Sequence, residues 1–100
     1  MDRVTQITKM ETYLNEAEAA IKDFTAALER FEKCQMKIKE LSEYYGSEAW
    51  FQDLEDYDKG QLPAGLKCGV LSEDLVYHVL VTNRELAIKM LELGTAIIKN

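Results

Sequence analysis

From Met1 to Tyr45 the chain contains neither glycine nor proline, and its apolar side chains recur in alternating steps of three and four. Ile7, Met10, Leu14, Ala17, Ile21, Phe24, Leu28 and Phe31 form that line. The spacing sets them along one side of an α-helix as a heptad seam. A second line, Tyr13, Ala20, Ala27, Cys34 and Leu41, repeats every seven residues beside it. Three apolar positions per heptad make a face wider than a two-helix seam, suited to a helix with more than one neighbour. At Gln35 and Ser42 the first line loses its apolar character and Cys34 and Leu41 take over, which assigns Cys34 to the core. A straight helix drifts about 20° per heptad, so its contact face slides in this way. The pattern predicts one helix over about 2–45, about 65 Å long at 1.5 Å per residue.

The breakers are gathered behind this helix. Tyr44 to His78 holds the only Trp, the only Pro and four of the five Gly. Gly46 is placed to end the first helix in the left-handed conformation. Ser47 can cap a short helix over about 47–59, with Glu48 at its positive end. Trp50, Phe51, Leu54 and Tyr57 give it an apolar face, and Lys59–Gly60 stops it. Residues 60–71 read as a loop, because Pro63 disfavours helix at Leu62. Leu62, Leu66, Val70 and Leu71 are too apolar for a free linker and predict a loop pinned onto the helices. Ser72 caps a last helix over about 72–98, with Glu73 and Asp74 in its first turn and Leu71 poised to staple onto Val76. The apolar positions from Leu75 to Ile98 are broad enough to predict burial along more than one side.

The expected fold is all-α, a single helical domain over 1–100. The long N-terminal helix forms an antiparallel hairpin with the C-terminal helix, and the short helix and pinned loop lie between them. The two long helices differ by about 26 Å at 1.5 Å per residue, so Ile7, Met10, Leu14 and Ala17 are expected to lack a partner within the chain. An exposed stripe of that kind is unusual in a monomer, and a symmetric homodimer would bury it.

The net charge of −6 is uneven: Met1–Tyr45 carries −2, Gly46–Asp74 −5 and Leu75–Asn100 +1. An acidic chain is a poor match for nucleic-acid phosphates and for anionic membranes, both of which bind through Lys and Arg. No run approaches the roughly 20 apolar residues of a membrane span. The first residues, MDRVTQITKMETYL, contain no apolar core of a signal peptide. Two cysteines, Cys34 and Cys68, are then expected as reduced thiols in a cytoplasmic protein.

The chemistry-bearing residues do not assemble into a known pattern. Asp74 and His78 share a helical face at four-residue spacing, but a metal site needs a third ligand and none is spaced to join them. Asp53, Glu55, Asp56 and Asp58 fail the calcium-loop pattern: counted from Asp56, position 6 is Gln61 and position 12 is Lys67. They read as a solvated acidic face. Cys68 follows Lys67, which favours a thiolate, yet a nucleophile also needs a base and His78 is the only histidine. No cofactor is expected.

The stretches YYGSEAW, LPAGLKCGVLSEDLVY and NRELAIKMLEL resemble a family of short bacterial proteins catalogued only as a domain of unknown function. The resemblance runs over nearly the whole chain and is densest from Tyr44 to Leu93. It implies a small all-helical bacterial protein and supplies no activity and no catalytic or ligand residues. Attachment of family members to larger proteins implies an accessory role. The expected function is therefore a non-enzymatic interaction module, an adaptor or regulator that acts as a homodimer and engages an unidentified protein partner. Its candidate self-association stripe is Ile7, Met10, Leu14 and Ala17. Its candidate partner or ligand corner is Trp50, Tyr57, Leu62, Pro63 and Leu66. One alternative is a small-ligand sensor or enzyme using Trp50, Cys68 and His78. Another is an acidic nucleic-acid mimic that binds a basic protein.

Overall fold

A computed structural model of the chain describes residues 2–100. Its regular structure is helical: α1 (Arg3–Tyr44), α2 (Glu48–Asp58), a 3-10 turn over Gly69–Leu71, and α3 (Glu73–Lys99). These bounds lie within two residues of those expected from the pattern for the three helices. The chain divides into two compact units, one ending at Met36 and one beginning at Lys37.

The first unit is helix alone. Its threonines return their hydroxyls to the backbone: Thr8 donates to the Val4 carbonyl at 2.8 Å, and Thr25 to the Ile21 carbonyl at 2.7 Å. These short polar side chains are thereby satisfied without tertiary partners. The apolar side chains are not covered in the same way. No residue of α1 is buried, and Ile7, Met10, Leu14 and Ala17 are all exposed. Cys34 is exposed as well, against its expected place in the core, because nothing covers the second apolar line there.

The second unit contains the core. Trp50, Leu71 and Val76 are its buried side chains, brought from α2, the 3-10 turn and α3. The corner between α1 and α2 follows from two local features. Gly46 takes φ +80°, the left-handed region open to glycine at little cost. Ser47 then sits in extended geometry and its hydroxyl accepts the Trp50 N–H at 3.2 Å, the expected N-cap. At the other end of α2, Gly60 has φ +70°, the Gly60 N–H bonds the Tyr57 carbonyl and the Gln61 N–H bonds the Asp56 carbonyl. That pair of bonds is a Schellman motif, which satisfies carbonyls left open by the helix end.

The entry to α3 differs in detail from the expectation. Ser72 occupies the cap position, but its hydroxyl makes no capping hydrogen bond. The turn before it does the positioning instead: Leu71 N–H bonds the Cys68 carbonyl and Ser72 N–H bonds the Gly69 carbonyl, both at 3.0 Å. Leu71 and Val76, the two ends of the expected staple, are both buried. The loop is held by Leu71 and a half-buried Leu62, whereas Leu66 and Val70 are exposed. Nor is α3 covered on several sides: Val76 is its one buried residue, and Leu86, Met90, Leu91, Leu93, Ile97 and Ile98 face solvent. Breadth of an apolar face states how much a helix could bury, not what the chain supplies to bury it.

Space does not restrict Gly60, since a Cβ there would meet no atom within 4 Å, but its backbone does. Gly60→Ala should therefore destabilise the chain by about 1–2 kcal/mol, the left-handed penalty of an L-residue, seen as a lower melting midpoint. An unchanged midpoint would show that the end of α2 relaxes freely.

Candidate functional site

Trp50 lies one turn into α2, where the Ser47 cap fixes its backbone. Its indole Nε1–H donates to the Val70 carbonyl at 3.0 Å, tying α2 to the turn ahead of α3. Tyr45 and Phe51 meet the indole edge-on, at centroid distances of 5.2 and 5.1 Å. Such edge-to-face contacts suit the ring quadrupole. Trp50 is thus buried on every side, as an anchor.

The other four residues of the predicted corner form a surface of their own. Tyr57, Leu62, Pro63 and Leu66 line a cleft of about 430 Å³ together with Cys68. The sequence reading grouped Trp50 with them, but the cleft walls include neither Trp50 nor His78. The divergence is rotational. Trp50 and Tyr57 are seven residues apart, yet the inward side of α2 runs through Trp50, Asp53 and Leu54, while Tyr57 is exposed at its edge. The Cys68 thiol, half-buried, donates to the Leu66 carbonyl at 3.5 Å. Trp50, Cys68 and His78 do not converge on one cavity, and among the described residues no three His, Cys, Asp or Glu side chains are grouped to hold a metal.

The acidic run is engaged locally. Asp53 accepts the Tyr44 hydroxyl at 2.5 Å, Asp56 accepts from Gln52 Nε2 at 3.0 Å, and Glu55 pairs with Lys59 at 2.7 Å. The Glu55–Lys59 pair is more than half exposed and contributes little. The Tyr44 bond is different, because Tyr44 and Asp53 are both half-buried. Donation to the Asp53 carboxylate, reinforced by burial and by that negative charge, pushes the Tyr44 phenol up to about 12. Reading the acids from sequence as a uniform solvated face missed this bond, since Tyr44 and Asp53 meet only once Gly46 has turned the chain.

A family described as a domain of unknown function, DUF4298, matches residues 7–93, and the chain belongs to that family. No curated protein and no solved structure matches it.

Trp50→Ala should cost about 3–5 kcal/mol through loss of a buried aromatic, with a sharp fall in melting temperature. Trp50→Phe should keep ring contact but leave the Val70 carbonyl without its donor, at about 1–3 kcal/mol. An unchanged midpoint for both variants would remove Trp50 from the core. For Tyr44, a raised folded-state pKa means its contribution is complete below the ordinary value of 10.0 and is lost as pH rises through about 12. Absorbance titration at alkaline pH should show one late phenol step that vanishes in Tyr44→Phe; all five tyrosines titrating together would contradict it.

Proposed function

We propose that this member of the DUF4298 family is a non-enzymatic interaction module that works as a homodimer, with the N-terminal stripe as its self-association surface. The observation that carries this reading is the exposure of that stripe: Ile7 is 56 %, Met10 44 % and Leu14 51 % exposed on a helix with no buried residue. Continuous apolar surface of this kind marks an association site in a water-soluble protein. The heptad spacing of the same residues favours another helix as the occupant, in coiled-coil fashion. An adaptor or regulatory role follows from the lack of convergent chemistry around Cys68 and His78, which also weakens the sensor or enzyme reading. The acidic side chains of α2 are partly consumed by local bonds to Tyr44, Gln52 and Lys59, and this weakens the nucleic-acid-mimic reading. The cleft at Tyr57, Leu62, Pro63 and Leu66 is the surface left for a further protein partner. A reducing, cytoplasmic setting belongs to the same reading, since Cys34 and Cys68 are both free. No helix among the described residues is long and apolar enough to cross a membrane.

Light scattering at tens of micromolar should return about twice the 11.5 kDa chain mass. Ile7→Asp with Leu14→Asp should give a monomer that keeps most of its helical ellipticity. A monomeric unmodified protein, or a variant that remains dimeric, would sink the proposal.

A further inference from the structure

A second apolar line remains on α3. Leu86, Met90, Leu93 and Ile97 follow at steps of four, three and four, so they lie on one face of the helix. They are 43 %, 37 %, 54 % and 63 % exposed. We infer that this face of α3 is covered by the α1 stripe of a second copy of the chain, so that two reciprocal α1–α3 contacts close the dimer. The inference rests on the self-association reading above and gives that surface its counterpart.

Area supports the occupant. A compact protein of this mass exposes about 5,800 Å². The chain exposes 8758 Å², about 3,000 Å² more than that scaling allows. A standard interface removes about 800 Å² per partner, so covering a single stripe would leave most of the excess in water. Covering α1 and α3 together belongs to the class of large, obligate homodimer interfaces. A two-fold axis makes both contacts at once, because a stripe on one copy meeting a face on the other is repeated in reverse.

Charge selects the pairing. Glu11 and Glu18 directly follow Met10 and Ala17 of the α1 stripe, and Lys89 directly precedes Met90 of the α3 line. Met1–Tyr45 carries −2 and Leu75–Asn100 +1, so α1 set against α3 joins opposite signs, whereas α1 set antiparallel against α1 sets acid against acid. The three apolar positions per heptad of α1 also exceed what one seam uses, in keeping with a helix that touches more than one neighbour.

The test is charge rescue in the full chain, with mass from light scattering and helicity from circular dichroism. Leu86→Lys with Leu93→Lys should give a helical monomer, with the dimer dissociation constant weakened at least tenfold. Combining those changes with Ile7→Asp and Leu14→Asp should restore the dimer, because Asp on each α1 then faces Lys on the partner's α3. Rescue that weakens with added salt supports the inference. If the α3 variant stays dimeric while the α1 variant is monomeric, the α1 stripe pairs elsewhere and this inference falls, with the self-association reading intact. If each pair of changes dissociates the dimer but their combination does not restore it, the reciprocal pairing is wrong. If the unmodified chain is monomeric, both fall together.

Discussion

The hydrogen bond from the Trp50 indole to the Val70 carbonyl is the interaction on which the second unit depends. It is a long-range bond, spanning twenty residues, in a chain whose other hydrogen bonds are mostly local. Without it the 3-10 turn at Gly69–Leu71 would have no fixed place beside α2, and Leu71 would have nothing to bury against. The turn in turn sets where α3 begins and which way Val76 points. A buried N–H that lost its acceptor would carry the full cost of desolvation, so the indole and the carbonyl hold each other in place. The Gly46 bend and the Ser47 cap set Trp50 up for this, which is why the densest punctuation of the sequence surrounds it.

Three buried side chains are a small core for a chain of this length. The hydrophobic effect scales with area removed from water, and most of the apolar area on α1 and α3 has not been removed. On the proposed reading, association and folding would then be linked. A homodimer that buries both helix faces makes stability a function of protomer concentration, and the isolated chain would hold its helices chiefly through local bonds and the Trp50 corner. The free surface is thus the main physical fact about function here, more than any single polar residue.

The cleft at Tyr57, Leu62, Pro63 and Leu66 carries a different kind of information. It is small, open and partly polar through Cys68, and its walls come from the end of α2 and the loop behind it. The Schellman end at Gly60 and the Pro63–Leu66 turn fix those walls, so the cleft is built by backbone hydrogen bonds and not by packing. Nothing in it activates the thiol, whose proton is already shared with the Leu66 carbonyl. That leaves recognition of a side chain as chemistry the cleft can offer, and acid–base or nucleophilic work as chemistry it is not equipped for.

The sequence by itself determined the helices and their ends. Absence of Gly and Pro before Gly46, the three-and-four spacing from Ile7, and the Ser47 and Gly60 signals are local causes, and helix formation answers to local causes. Trp50 as the anchor was legible for the same reason, being a single large aromatic one turn inside a capped helix. Pairing was not legible. Cys34, Leu66, Val70 and the outer face of α3 all satisfy the pattern for burial, yet whether they are buried depends on what another segment brings to them. The Tyr44–Asp53 bond and the separation of Trp50 from the Tyr57–Leu66 cleft likewise required the turn angle at Gly46 and the rotation of α2. Periodicity states which side of a helix is apolar; only tertiary structure decides whether anything lies against it, because contact is a property of two segments and periodicity of one.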